Sequence, residues 1–587
     1  MTFRRFVLPN KDELARLRAS TTEGRTAVLY QELLQVADDV MEQTLPVYEG
    51  HSAINRRALS WYFGKIAALV LTGLLDENED RLLRAKELIS TLHQIADSSR
   101  TSLNTFAGRL SVEPLQESVL SPELLFTEHL LDQFGLLSQE DRLKIEQLYQ
   151  WMFPFALLGF TEIQLLVDPT NNHVLLDASS AGLLAVRLQD RLPFWKQWVH
   201  FSNDQVCHYA KAAILSDGGQ IESSPSYHTL VIQRLLLHTL LMRDLVGIDL
   251  TTNKDFTQKI TAGVDWILTI ITPDGGLPAI NDSSRTFDAS FLFTASALLT
   301  GDGKYTSALD TFLGQKNFRF ERSTLPFGFL MAARNELPQP SGLPSENYRR
   351  AVLLPETGFA LLRDEVGGYL ICKSDPRLLC HTHDERCSFE WWPFGRAGAL
   401  DPGMVDYQRL EHFTYFRLPQ AHNTVARYRP HKETVRPQDY IFPDVEISHD
   451  AHPHHPGTIE LVENGAGVRM WAKISEKVEL RRTIRRGKNL GSLEITDELI
   501  GKDDCPYDWC FHGQGELTFS EQGFRFDAAE LSIEGKVELP RQFELVKLAG
   551  PNKPYGEDVP YVVVRVKGAP NRLKILLKAT VPGDCKP

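Results

Sequence analysis

The sequence predicts an α+β multidomain protein, with a helical first part followed by an antiparallel β-sandwich. Three observations carry this reading. Leucines recur at helical spacing up to about residue 330. A Pro/Ser/Gly-rich stretch, residues 335–347, then interrupts the pattern. Beyond it, short β-branched and aromatic runs replace helical spacing. The expected domains are therefore 1–334, helical, and 348–587, a sandwich, joined by the linker 335–347. With 587 residues and an apolar fraction of 42%, the chain can build at least two cores.

The helical part shows its spacing in Leu82-Leu83, Leu88 and Leu92, then in Leu124-Leu125, Leu130-Leu131 and Leu136-Leu137. Ser121-Pro122-Glu123 and Ser138-Gln139-Glu140-Asp141 read as helix starts. Short connections predict antiparallel helical hairpins. Asn171-Asn172-His173 and Asp217-Gly218-Gly219 read as turns. Ser224-Pro225-Ser226-Tyr227-His228 opens a helix that continues through the apolar run Leu230 to Leu241. Thr272 to Pro278 is a Gly/Pro-rich loop. After the linker, Phe359 to Leu362, Tyr369 to Cys372, Leu480 to Ile484, Leu493 to Thr496 and Tyr561 to Val566 read as strands. The junction of a helical and a β domain is a common place for a ligand cleft.

Composition excludes several classes. A net charge of −13 argues against non-specific nucleic-acid binding. No run reaches the roughly 18 uncharged apolar residues of a membrane span. The most apolar stretch, Trp151 to Val167, is broken by Glu162 and Gln164. Met1 to Lys11 lacks an apolar core of signal-peptide length, so a cytoplasmic location is expected. The 7 cysteines contain no Cys-x-x-Cys, which argues against structural disulfides and a cysteine zinc site. One window, His412 to Lys432, holds Arg417, Arg427, Arg429 and Lys432 and no acidic residue. Such a patch in an acidic chain suits a polyanionic ligand, although a solvated basic strand is commoner. Nothing in the sequence excludes a homodimer.

The densest chemistry lies in His381-Thr382-His383-Asp384-Glu385-Arg386-Cys387-Ser388-Phe389-Glu390. Histidines at i and i+2 share one face if the segment is a strand. Asp401 and His422 follow on neighbouring β-type segments. Nitrogen and oxygen donors of this kind suit a borderline cation such as zinc.

Taken in order, three blocks resemble the heparinase II/III-like polysaccharide lyases, which include relatives acting on alginate oligosaccharides. They are Asn171-Asn172-His173, then Ser224 to His228 after Asp217-Gly218-Gly219, then His381-Thr382-His383 through Asp401 to Ala421-His422-Asn423-Thr424. Each block alone is weak, and the ordered set is specific. The resemblance implies an N-terminal incomplete (α/α) toroid followed by a C-terminal antiparallel β-sandwich. It implies a carbon–oxygen lyase that cuts anionic, uronate-containing oligosaccharides by β-elimination. Asn172 and His173 would then neutralise the substrate carboxylate, with Tyr227 and His381 as proton-transfer groups. His383, Asp401 and His422 would hold one structural zinc ion. Glu222, Tyr407, Tyr415 and Arg417 would line the sugar site. Relatives often read His-x-His-x-Asp, whereas this chain has Asp384 one place early and Glu385 at the usual Asp position, an acid expected to sit beside the site.

A tyrosine ordinarily titrates at about 10 and a histidine at about 6.5, which suits Tyr to the acid step and His to the base step. One tyrosine can also perform both steps in turn, and the sequence leaves both modes open. Two other functions compete. A glycoside hydrolase on the same scaffold needs two carboxylates flanking the bond, for which Asp274, Asp282 and Glu222 are candidates. A non-catalytic glycan-binding or assembly protein needs only the fold.

Overall fold

Helices occupy the first part of the chain and antiparallel strands the second, as the periodicity predicts. The computed structural model describes residues 7–43, 65–98, 115–166, 168–286, 289–313, 324–334, 336–343, 350–377, 379, 381–405, 407, 411–427, 456–501, 506–539, 543–551, 558–566 and 572–582. The expected linker 335–347 falls partly outside these residues. So do Arg429, Lys432, Cys380, Cys505 and Cys585. The described cysteines Cys207, Cys372, Cys387 and Cys510 are all free. No helix among the described residues is long and apolar enough to cross a membrane.

The helices among the described residues are α1 (Lys11–Arg18), α2 (Gly24–Glu42), α3 (Ile66–Asp76), α4 (Glu79–Ser98), α5 (Leu115–Gln133), α6 (Gln139–Leu166), α7 (Asn172–Arg187), α8 (Trp195–Ala213), α9 (Pro225–Val246), α10 (Lys254–Ile270), α11 (Ser290–Thr300), α12 (Gly303–Phe312) and α13 (Leu325–Ala333). Local chemistry sets their starts. Asn10 and Glu13 form a reciprocal capping box on α1. Ser138 caps α6, its hydroxyl accepting from the Asp141 N–H at 3.1 Å. Asn171 caps α7, its side chain accepting from the His173 N–H at 2.9 Å.

One expected start is absent. Ser121-Pro122-Glu123 lies inside α5 rather than at its beginning. Proline has no N–H to offer the carbonyl four residues back. The Ser121 hydroxyl donates to that Ser118 carbonyl at 3.1 Å, and Arg234 donates to it at 3.2 Å. The helix therefore continues through the proline.

By its internal packing the chain forms two compact units. The helical one comprises Met1–Ile214, Thr229–Val264 and Phe287–Leu343. Within it, sequence neighbours pack as hairpins, such as α3 with α4 and α7 with α8. Alternate helices also meet: α3 with α5, α5 with α7, and α4 with α6. The result is a double row of helices, and α13 returns to pack on α2.

The strand-rich unit comprises Leu215–His228, Asp265–Thr286 and Pro344–Pro587. It contains the Tyr227 block and the 272–278 loop as well as the sandwich. Its strands are β1 (Ala351–Leu354), β2 (Phe359–Arg363), β3 (Tyr369–Lys373), β4 (Ser388–Trp392), β5 (Val425–Arg427), β6 (Thr458–Val462), β7 (Gly467–Lys473), β8 (Val478–Arg486), β9 (Ser492–Gly501), β10 (Tyr507–Phe511), β11 (Glu516–Ser520), β12 (Gly523–Asp527), β13 (Ser532–Leu539), β14 (Glu544–Pro551), β15 (Asp558–Val566) and β16 (Arg572–Thr580). They form sheets ordered β1-β2-β3-β4, β14-β15-β10-β5 and β11-β12-β13-β16-β9-β8-β7-β6. All three sheets feed one core, with Leu370 and Phe389 from the first, Trp509 and Val564 from the second, and Leu480, Phe526 and Ile575 from the third. Burying each such side chain contributes about 1.5–3 kcal/mol.

The Asp217 turn is tied into this unit. Its carboxylate accepts from the Thr357 N–H at 2.9 Å and hydroxyl at 3.0 Å, and from the Gly219 N–H at 3.1 Å. Gly219 has no room for a side chain, because a Cβ there would strike Thr357 and Trp266.

Candidate active site

Tyr227 stands in the first turn of α9, which begins at Pro225 as the Ser-Pro signal predicts. His381 and His383 stand on the connection between β3 and β4. That connection is irregular, not the strand expected from the i, i+2 spacing, and β4 begins only at Ser388. The reason lies in the hydrogen bonding. Both imidazoles converge on one buried carboxylate, Asp282, and the His383 N–H donates to the Asn281 side-chain oxygen at 2.9 Å rather than to a strand. Asn281 adopts a left-handed φ of 58° and its own N–H donates to Glu385 at 3.0 Å. Arg417 donates to the Thr382 carbonyl at 3.1 Å and so holds the same loop from below.

Asp282 is the hub. Its Oδ2 accepts from the Tyr407 hydroxyl at 2.6 Å and lies 2.9 Å from His381 Nδ1. Its Oδ1 lies 2.8 Å from His383 Nε2 and 3.6 Å from His412 Nε2. The Tyr407 hydroxyl also sits 2.8 Å from the Tyr227 hydroxyl and 3.1 Å from His381 Nδ1. The Tyr227 ring stacks on the His381 ring, with centroids 3.5 Å apart and planes 18° apart. A phenol and an imidazole are thus held face to face, joined through a second phenol to one carboxylate.

The electrostatics follow from burial and partners. Burial pushes the Asp282 carboxyl up, but hydrogen bonds from His381, His383 and Tyr407 outweigh it and hold the group well below the usual carboxylate range. Burial lowers His383 to about 4 and His412 to about 4, so both rings are neutral. Burial, with Tyr227 and Asp282 adding to it, pushes the Tyr407 hydroxyl far up. Tyr407 therefore stays protonated and donates a hydrogen bond to Asp282.

Beside this network is a group that could hold a cation. Ligand atoms of Glu385, Asp401 and His422 lie within 4.8 Å of one another, and all three residues are buried. His422 Nδ1 is 2.7 Å from Asp401 Oδ2 and 3.3 Å from Glu385 Oε2. Burial pushes both carboxyls well up, with the neighbouring carboxyls Asp401 and Glu390 reinforcing the shifts of Glu385 and Asp401 respectively. Glu385 Oε2, His422 Nε2 and His383 Nδ1 have no hydrogen-bond partner among the described residues. Two crowded, buried carboxyls beside imidazole nitrogens fit a divalent cation.

The expected ligand set had His383 where the compact trio has Glu385, the acid read as lying beside the site. The His383 ring is 5.4 Å from the His422 ring, with Nε2 turned to Asp282. A ligating histidine commonly gives its other N–H to a carboxylate in this way. Here His383 Nε2 is taken up by Asp282, and the compact trio forms with Glu385 and without His383.

The other expected site residues fall as follows. Asn172 is buried and His173 half-buried at the start of α7 in the helical unit. Tyr407 belongs to the hub. Glu222 is only 2% exposed, with its N–H held by Gln220, and offers little surface to a ligand. Tyr415 packs on the small cluster of Ala426, Cys510 and Val563. Sequence reasoning missed Asn281 and His412 and considered Asp282 only as a hydrolase carboxylate. The signal available for Asp282 was the loop Ala279-Ile280-Asn281-Asp282-Ser283-Ser284, a polar run after a Gly/Pro-rich stretch.

Comparison with known proteins bears on the family and the fold. Residues 167–299 match the heparinase II/III N-terminus model, and residues 347–533 match the heparinase II/III-like C-terminal model. Together they span more than half of the chain. No curated protein sequence matches it. Among solved structures, a heparinase III is similar with a TM-score of 0.65 and 14% identity, covering 92% of this chain and 79% of that one. A second heparinase III gene product matches with a TM-score of 0.61 and 15% identity, over 94% and 84% of the two chains. A mutant heparan sulfate lyase from Pedobacter heparinus matches with a TM-score of 0.59 and 14% identity, over 94% and 83%. At such identities the structures speak to the fold, an incomplete α/α toroid and an antiparallel β-sandwich. With both domain models matched in order over more than half of its length, the chain belongs to the heparinase II/III-like family of polysaccharide lyases.

Proposed function

We propose that this protein cleaves uronate-containing oligosaccharides by β-elimination, leaving a 4,5-unsaturated uronate. The observation that carries the reading is the Tyr227 hydroxyl, 2.8 Å from Tyr407 and stacked on His381. β-Elimination needs a base for the C5 proton and an acid for the leaving oxygen, and it consumes no water. The C5–H bond breaks, its electrons form the C4–C5 double bond, and the C4–O bond departs with its oxygen taking a proton. Tyr227 and His381 supply two proton-transfer groups within contact of each other. Tyr227 gives the proton to the leaving oxygen, and His381 or the Tyr227 phenolate takes the C5 proton. Asn172 and His173, by their place in the motif, are assigned to the charge that develops on the substrate carboxylate.

The hydrolase alternative loses its carboxylates. Asp282 is fully buried and already accepts from Tyr407 and the imidazoles. Glu222 is buried, and Asp274 accepts from the Thr272 hydroxyl at 2.6 Å within its own turn. With Glu222 and Asp282 buried, only the half-exposed Asp274 remains of the two carboxylates that hydrolysis needs. The names of the similar structures, heparinase and heparan sulfate lyase, favour glycosaminoglycan fragments as the substrate class. Zinc is the proposed cation, held by Asp401, His422 and His383 with Glu385 beside them. Its contribution is structural: bound there, it would tether the loop that presents His381.

A panel of glycosaminoglycan and alginate oligosaccharides, followed by near-ultraviolet absorbance, tests the reading. At least one should yield an absorbing unsaturated product. New reducing ends without absorbance would transfer the protein to the hydrolases.

A further inference from the structure

We propose that the cavity between the β1–β2–β3 strands and the β8–β9 turn is a second anion site, where Arg486 and Lys488 hold the carboxylate or sulfate group of an acidic sugar. The cavity, of about 230 Å³, is lined by Arg350, Asp364, Trp391, Arg486, Lys488 and Asn489 among others, and none of its lining residues belongs to the Tyr227, His381 and Asp282 network. Its charges are unequally matched. Arg350 is paired with Glu365. Asp364 Oδ1 accepts from the Val366 N–H at 3.0 Å and the Gly368 N–H at 2.6 Å, inside its own turn. Arg486 is half-buried at the end of β8, and Lys488 is exposed on the turn. Neither has a carboxylate within ion-pair distance among the described residues. Arg486 spends one nitrogen, Nη2, on the Arg350 carbonyl at 2.9 Å and the Arg363 carbonyl. Its guanidinium carries further N–H donors in a fixed fork, the shape that meets an oxyanion with two parallel bonds. Burial pulls that guanidinium down, and Arg350 adds to this against Asp364, so an anion in the cavity would offset both. The site is also held in shape. The Gly487 N–H donates to the Ser492 carbonyl at 2.9 Å across the turn, and the Ser492 hydroxyl donates to the Asn489 carbonyl at 2.5 Å. Gly491 takes a left-handed φ of 68°, and a Cβ there would strike the Phe394 ring. The cations are therefore presented on a fixed turn.

The sugar as carrier of the anion rests on the lyase reading, and the anion site itself does not. Arg486 also supports two backbone carbonyls, so the exposed Lys488 carries the test. Equilibrium dialysis of the full chain against radiolabelled sulfate at fixed ionic strength reads the site alone. Lys488→Glu should weaken one sulfate per chain about ten-fold, the scale of one charge-assisted hydrogen bond. Lys578→Glu makes the same charge change on β16, away from the cavity, and should bind as the wild type does. Wild-type sulfate binding in Lys488→Glu overturns the proposal, and so does an equal loss in Lys578→Glu. A uronate-containing oligosaccharide, titrated into Tyr227→Phe protein so that it is not consumed, tests the carrier. Weaker binding when Lys488→Glu is added supports a sugar-borne anion. A loss for sulfate with none for the oligosaccharide overturns that assignment in favour of the free anion. Lys488→Glu should keep wild-type kcat, and a large fall would overturn the separation from the catalytic site. Sulfate bound through Lys488 in a protein that makes no unsaturated product would leave the anion site standing and remove the lyase reading.

Discussion

At the residue scale, the account turns on single hydroxyls and nitrogens. Tyr227→Phe keeps the ring stacked on His381 and removes only the group that meets Tyr407. It should fold normally and lose at least about 100-fold in kcat, the low end for general acid–base catalysis. Steady-state rates at saturating substrate check this. His381→Ala then separates the modes: a small loss assigns both proton transfers to Tyr227, and a large one assigns the C5 proton to His381. Tyr227 and His381 were legible in the sequence because each lies in a block with its own order and spacing. Asp282 was not, since a lone aspartate in a loop has no period and its partners are about a hundred residues away in the chain. Glu385 was legible only as a displaced acid. Its role emerges when Asn281 and His422 are seen on either side of it.

At the scale of elements, the site is hung between loops that the sandwich holds from beneath. Arg482 of β8 is fully buried and pairs with Asp497 of β9 at 2.7 and 2.8 Å. Its remaining donors reach the Cys387 carbonyl at 2.8 Å and the Asn423 carbonyl at 2.7 Å. One guanidinium therefore anchors the end of the His381 loop and the His422 segment together. Arg482→Ala leaves Asp497 buried without its counter-charge and should destabilise the strand-rich unit by about 3–5 kcal/mol. Denaturant unfolding followed by the fluorescence of buried Trp509 checks it. The helix at Pro225 and the strands β2, β3, β8, β9 and β15 were legible from local chemistry and alternation. The His381 segment misled because alternation alone cannot tell a strand from a loop whose side chains are gathered by a distant carboxylate. Pro122 misled because one compensating donor, Arg234, comes from a distant helix and the other, Ser121, bonds back within the helix only once it has formed.

At the scale of the whole molecule, the helix-then-strand order was plain in the sequence, whereas the membership of each unit was not. Residues 215–228 and 265–286 read as parts of the helical half and pack with the strands. The helical unit has a pH signature of its own. Burial pushes the Asp177 carboxyl of α7 up to about 7, with Ser118 and Arg234 pulling the other way. Its unfolded value is the ordinary one, about 3.9. Between those values the folded unit binds the proton and the unfolded chain does not, so stability is full below the lower value and falls as pH rises toward the upper one, by at most about 1.4 kcal/mol per pH unit. Asp177→Asn should raise the melting temperature at pH above that window and leave it nearly unchanged at its acidic end, as calorimetry at several pH values would show. Removing the proposed cation acts on the other unit: a chelator should lower the melting temperature of the strand-rich unit, and zinc(II) should restore it. The central claim is elimination by the Tyr227–His381 pair, and the fate of water tests it most directly. Cleavage of a uronate oligosaccharide in heavy-oxygen water, read by mass spectrometry, should give an unsaturated uronate with no heavy oxygen gained on cleavage by either fragment. Products carrying one heavy oxygen and no double bond would contradict it.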